Sequence, residues 1–238
     1  MKRLTCALLM AAAWAQPAWA DEDDAPAAAP GWWRPYVGVG YAWGGNTLAP
    51  IKIKIIGTET IYDEDISAGA GLDLRLGLRL QPADWPIGIK MAAAYETDGA
   101  AGLSGWHSFS RHPIELGLSM SLSERWSVGV GARKSLRAKL RDHKDDYPYQ
   151  VSDGVTTKTV PGKYDFHSRY SSSMGAYAEV EWHVTSGLSL SARGIHESFR
   201  LKSEALDTPY GSASVDYGDN GKRYGANSFS LALTYYFR

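Results

Sequence analysis

The chain has 238 residues, with 25 lysines and arginines against 26 aspartates and glutamates, and a single cysteine. So even a balance, with no basic domain, excludes a nucleic-acid-binding protein. One cysteine, Cys6, excludes a disulfide framework.

The first segment is a basic start at Lys2 and Arg3, an apolar run, and Ala18-Trp19-Ala20, a small-x-small cleavage pattern. It reads as a secretory signal peptide over residues 1–20. Cleavage after Ala20 removes Cys6 and leaves a mature chain without thiol chemistry. Residues 21–33, DEDDAPAAAPGWW, form a polar Ala/Pro-rich leader that ends on a tryptophan pair. Residues 34–238 form the third and largest segment.

That segment alternates. RPYVGVGYAWGG (34–45) puts Val37, Val39, Tyr41 and Trp43 on one face. GLDLRLGLRL (71–80) puts leucine on one face and Asp73, Arg75 and Arg79 on the other. IGIKMAAAYE (87–96), PIELGLSMSL (113–122), WSVGVGARKS (126–135), SMGAYAEVEW (173–182), LSLSARGIHE (188–197) and NSFSLALTYYF (227–237) repeat the pattern. Period two over eight segments predicts eight strands, each about long enough to cross a bilayer at a tilt. Short connections (QPADWP, SER, HVTSG) alternate with long ones near 44–66, 97–111, 136–170 and 199–223. That is the habit of outer-membrane barrels, with short turns in the periplasm and long loops outside. GDNG at 218–221, SDG at 152–154 and the KIKII stretch predict hairpins within those loops.

The expected fold is therefore all-β: an eight-stranded antiparallel up-and-down transmembrane β-barrel. A spanning sheet must close, because lipid cannot satisfy a free strand edge. The leucine face then meets lipid. Trp85, Trp126, Trp182, Tyr235 and Phe237 mark the periplasmic rim, and Trp43 and Tyr95 the outer one. The opposite face collects Asp73, Glu96, Glu115, Glu179 and Glu181 with Arg75, Arg79, Lys90, Arg133 and Arg193. Buried charges pair, and an eight-stranded barrel is only about wide enough for its own side chains. The balanced set predicts a salt-bridged plug, with inward glycines (Gly38, Gly40, Gly117, Gly129, Gly131) making room for it. A gated small-solute pore is the alternative use of the same charges. Glu179 and Glu181 face bases with no evident cleft, which argues against acid–base catalysis there.

PYVGVGYAWGG, ERWSVGVGAR and SFSLALTYYF resemble the small eight-stranded outer-membrane barrels: the membrane domain of outer-membrane protein A, outer-membrane protein X and the opacity-type surface antigens. The resemblance covers Arg34 to Arg238. It implies a monomer in the bacterial outer membrane, inserted by the barrel-assembly machinery. The implied role is structural or surface-interacting, through the outer loops and a surface partner that the sequence does not identify. GIHESF (194–199) is similar to lipid A 3-O-deacylases, which carry a membrane-facing His-x-Ser pair at this point and an acid at the start of the last strand. That resemblance implies His196 as base and Ser198 as nucleophile. Phe199 stands where that family has Asn, and Asn227 stands near the place of the acid, so the triad is incomplete. No histidine set has metal-ligand spacing, and no cofactor is expected. Lys134, Arg137, Lys139, Arg141 and Lys144 form a basic run leaving the fifth strand, at the level of lipopolysaccharide phosphates. The reading is a non-enzymatic surface barrel.

Overall fold

Alternation decides which side of each strand meets which medium. Along Gly71–Leu80, Asp73, Arg75 and Arg79 are buried, while Leu72, Leu74 and Leu76 face outward, Leu76 at 62% exposure. The same division runs around the molecule. Ile89, Ile114, Leu116, Leu118, Val130, Val180, Leu190 and Leu231 are all exposed. A soluble protein seldom presents so broad an apolar surface to water. The computed structural model describes residues 32–237 except 55–60, 83, 103–104, 146–148, 153–156, 161–162 and 210. The expected signal peptide and most of the leader lie outside the described residues.

The strands in chain order are β1 (Trp33–Gly44), β2 (Thr47–Lys54), β3 (Ile61–Ser67), β4 (Gly71–Leu80), β5 (Ile87–Gly102), β6 (Gly105–Ser121), β7 (Trp126–Lys144) and β8 (Tyr149–Ser152). They continue with β9 (Thr157–Val160), β10 (Tyr164–Ser172), β11 (Gly175–His183), β12 (Leu188–His196), β13 (Ser198–Thr208), β14 (Gly211–Asp216), β15 (Arg223–Gly225) and β16 (Ser228–Tyr236). Eight of these close a barrel in the order β1, β4, β5, β6, β7, β11, β12, β16. Every neighbour is antiparallel, and the pairing of β1 with β16 completes the ring. The fold is an eight-stranded antiparallel up-and-down β-barrel. Among the described residues no helix is long and apolar enough to cross a membrane.

Aromatic side chains gather at both rims. Trp126 stacks on Trp182 at 6.4 Å and Tyr235 meets Phe237 at 5.2 Å near the short-turn end. Trp43 stacks on Phe229 at 6.5 Å near the other. Such girdles mark the two interfaces of a membrane barrel.

The long connections are largely strand rather than loop. The wall continues past the outer girdle: β5 pairs with β6 as far as Gly102 and Gly105, and β7 pairs there with both β6 and β10. β10 pairs with β13, which also carries β14 and β15. β2 pairs with β3, and β8 with β9. Of the expected hairpins, GDNG does not form one: β14 and β15 both pair with β13 in the same direction, so residues 217–222 bulge out from one continuous edge, and most of SDG lies outside the described residues.

One irregularity controls the extension. Between Arg111/Ala138 and Pro113/Ser135 the register of β6 and β7 shifts, so Leu136 and Arg137 together face the place of His112. A bulge of this kind inserts one residue and reverses the phase of the strand beyond it. Below it, Arg133 and Ser135 point inward. Above it, Ala138 and Leu140 point inward and Arg137 and Arg141 are exposed. Without the bulge, simple alternation from Arg133 would send Arg137, Lys139 and Arg141 into the lumen.

Only some of the inward glycines serve the charged chains expected of them. A Cβ at Gly117 or Gly131 would lie 2.4 and 2.6 Å from the Tyr177 ring or its hydroxyl, and one at Gly77 would lie 2.2 Å from Tyr36. These glycines make room for inward tyrosines. Gly129 and Gly38 do border charged chains, Glu179 and Arg75. Gly40 faces Ala232.

Candidate functional site

The lumen holds a continuous chain of ion pairs. Lys90 on β5 reaches Glu179 and Glu181 on β11, the latter at 3.2 Å. Glu179 meets Arg193 on β12 at 3.2 Å, and Arg193 meets Glu115 on β6 at 2.8 Å. Arg133 on β7 bonds Glu115 at 3.2 Å, Glu96 at 3.0 Å and Glu197 at 3.1 Å. Arg111 closes on Glu96, and Arg75 joins Asp73 and Glu115. These side chains come from six strands or strand ends, so no single segment could form the network. Each is nearly inaccessible; Asp73 and Arg133 are 1% exposed. Tyr236 and Ser127 donate to Glu181 at 2.7 and 3.3 Å, and Ser135 donates its backbone N–H to Glu197 at 2.9 Å.

Nine of the ten charges collected from the sequence stand in this chain. The tenth, Arg79, is buried but donates to the Ser121 hydroxyl at 3.2 Å instead of a carboxylate. Sequence reasoning missed two members, Arg111 and Glu197. Arg111 fell in a stretch read as loop. Glu197 shared the inward phase of Arg193, so its signal was present but uncounted.

Above the ion pairs lies an apolar layer. Phe109, Tyr170, Phe199, Leu140 and Leu201 are buried with Ile66 and Ala68. Phe109 packs edge-on against Tyr170 at 5.7 Å and Phe199 at 5.5 Å. The Arg111 guanidinium lies 5.9 Å from both Phe rings, where the two layers join. At the short-turn end, Tyr36 and Tyr236 form a smaller buried pair, with ring centroids 5.3 Å apart.

His196 and Ser198 both lie at the outer wall, but they do not engage each other. His196 Nδ1 is 2.6 Å from Asn227 Oδ1. The Ser198 hydroxyl is 3.0 Å from that of Ser173. A histidine must be within hydrogen-bond reach of a serine to activate it, and no His196–Ser198 hydrogen bond occurs among the described residues. Phe199, in the place of the deacylase Asn, is fully buried in the apolar layer. Among the described residues no group of three His, Cys, Asp or Glu side chains could hold a metal ion.

The basic run lies on β7 itself. Lys134, Arg137 and Arg141 are exposed and Lys139 half-buried, all on the outer face, while Lys144 follows the opposite phase. Arg169 of β10 stands directly opposite Lys139, and His167 opposite Arg141. Farther out, His143 Nδ1 lies 2.8 Å from Asp165, and this bond, with Asp145 nearby, raises its pKa above the ordinary imidazole value.

No family model and no curated protein matches this chain. Solved structures do. A major outer membrane protein from Thermus thermophilus aligns at 13% identity over 86% of this chain and 99% of its own, with a TM-score of 0.50. Ail, the attachment invasion locus protein of Yersinia pestis, solved with the heparin analogue sucrose octasulfate, aligns at 12% over 86% and 97%, TM-score 0.41. The outer membrane protease OmpT from Escherichia coli aligns at 10% over 86% and 96%, TM-score 0.39. The likeness is one of fold, that of the outer-membrane barrels.

Proposed function

We propose that this chain is a bacterial outer-membrane surface protein whose barrel is a sealed anchor and whose extracellular sheet does the work. The observation that carries this reading is the filled lumen: a chain of paired charges spans it, with an aromatic layer above. An ion would have to break several buried pairs to pass, and a buried charge stripped of its partner costs several kcal/mol. That weighs against a pore. The separation of Ser198 from His196 weighs against a lipid A hydrolase. What remains available is the extended wall of β6, β7, β10, β13 and β14, which stands clear of the girdles and needs no open lumen. Export by a cleaved signal peptide, assembly as a monomer by the barrel-assembly machinery and contact with outer-leaflet lipopolysaccharide belong to the same proposal.

Site-directed cysteine labelling on intact cells tests the orientation, because the mature chain brings no thiol of its own. Asp219→Cys, in the turn between β14 and β15, takes up a membrane-impermeant maleimide. Glu124→Cys, in the short turn between β6 and β7, does so only after the outer membrane is opened. Labelling of Glu124→Cys alone on intact cells overturns the reading.

A further inference from the structure

The outer wall is unevenly filled. A groove of 1180 Å³ crosses β7, β11 and β12 on the lipid-facing side. Its floor is Ala132 opposite Ala176 and, one row lower, Ala178 opposite Gly194. Leu118 flanks one side and Phe229 the other. A Cβ built on Gly194 meets nothing within 4 Å, so the hollow there is real space at the surface. The end toward the outer rim is polar: His196 and Asn227 line it, and the next outward residue on β7 after Ala132 is Lys134.

From that mouth the cations climb. Lys134 leads along β7 to Arg137, then to Lys139 opposite Arg169. At a strand rise of about 3.3 Å per residue, Lys134 to Arg141 covers roughly 20 Å. Like charges directly opposite on neighbouring strands destabilise a sheet. Among the described residues, Lys134, Arg137, Lys139, Arg141 and Arg169 make no ion pair, whereas Lys163, Arg200 and Lys202 on the same extension do. Anions laid along this face would relieve the repulsion. The strip also has an outer limit, since Asp165 and Asp207 stand opposite one another in the row beyond Arg141 and His167.

An apolar hollow at lipid depth, continuous with unpaired cations that end in acids, fits one kind of occupant. We infer that β7, β10, β11 and β12 form a docking site for a phosphorylated, multiply acylated glycolipid of the outer leaflet. Its acyl chain lies in the groove over Ala178 and Gly194, and its sugar-borne phosphates meet Lys134, Arg137, Lys139 and Arg169. A phospholipid, with one phosphate, would satisfy one row only. A soluble polyanion would leave the groove unused. The inference rests on the proposed orientation and lipopolysaccharide contact, and adds the seats of the acyl chain and of the phosphates.

Purified protein folded in detergent micelles can be titrated with lipopolysaccharide, with dephosphorylated lipopolysaccharide, with phosphatidylglycerol and with inorganic polyphosphate. Heat-modifiable migration on gels certifies the fold of every variant. Intact lipopolysaccharide binds tightest. Lys139→Gln with Arg169→Gln weakens it about 30-fold, at the usual worth of a cation beside an anionic lipid surface. Gly194→Leu, which fills open space, weakens it severalfold and leaves polyphosphate unaffected. Unchanged lipopolysaccharide affinity in both variants overturns the site. So does polyphosphate binding as tightly as lipopolysaccharide, which would make it a soluble-polyanion site. Because binding is read on purified protein, a failed orientation shows only in cysteine labelling and a failed docking site only here.

Discussion

Arg133 is the residue on which most of the interior depends. Its guanidinium reaches three carboxylates, Glu96, Glu115 and Glu197. Glu96 retains Arg111 without it, and Glu115 retains Arg193 and Arg75, but Glu197 loses its cation. Leaving a buried charge unpaired costs about 3–5 kcal/mol. Arg133→Ala should therefore lower the folding free energy in lipid vesicles by about that much. Arg79→Ala, which gives up a hydroxyl contact, should lower it by only about 1–3 kcal/mol. Equal losses in denaturant titrations would mean that burial, not pairing, sets the cost. At the far end of β7, His143 behaves as a weaker and reversible clasp. Its partnership with Asp165 raises its pKa in the folded state. A raised histidine stabilises fully below its unfolded value near 6.5, and the contribution is lost as pH rises through the folded value. The end of the β7–β10 pair should accordingly loosen from neutral to alkaline pH. Amide exchange there, corrected for intrinsic rate, should show this pH dependence in the wild type and not in His143→Gln.

At the scale of the element, the bulge in β7 turns one strand to two uses. Below Leu136 and Arg137 the strand feeds Arg133 into the ion network. Above them it buries Ala138 and Leu140 and turns cations outward. Inserting one alanine after Arg137 should reverse the phase of the strand beyond it and drive Lys139 and Arg141 toward the Phe109–Phe199 layer, since a one-residue slip moves every side chain to the other face. Hydrogen exchange should then show β10 and β13 unprotected while β11 and β12 stay protected. Arg137→Ala, which keeps the bulge, and deletion of Arg137, which leaves Ala138 and Leu140 inward, should leave all four protected; protected β10 and β13 in the insertion variant would refute this role. The two halves of the wall also differ in how far the sequence makes them legible. The eight spanning strands were readable because lipid demands an apolar residue at every second position, as in GLDLRLGLRL. The extension was not, because KYDFHSRYSS and FRLKSEALD face water on one side and a small mixed core on the other, which blurs the period. Arg111 was lost with it. The interior charges were legible by phase alone, whereas their partners were not, because Glu96–Arg133 and Lys90–Glu179 join strands far apart in sequence.

Among the described residues the barrel interior carries three layers of its own side chains. The Tyr36–Tyr236 pair lies near the short-turn rim, the ion pairs lie above it, and the Phe109–Phe199 layer lies beyond them. Eight strands set a diameter that side chains can fill, and tyrosines set against glycines complete the filling. The proposed function therefore belongs to the outer face, where β7 and β10 present cations and β11 and β12 present a hollow. The central claim is that the lumen is closed, and conductance across a planar bilayer tests it most directly. Purified barrel inserted at a known number of copies should give no discrete current steps at moderate voltage in molar salt. Regular nanosiemens steps from the wild-type protein would contradict the account.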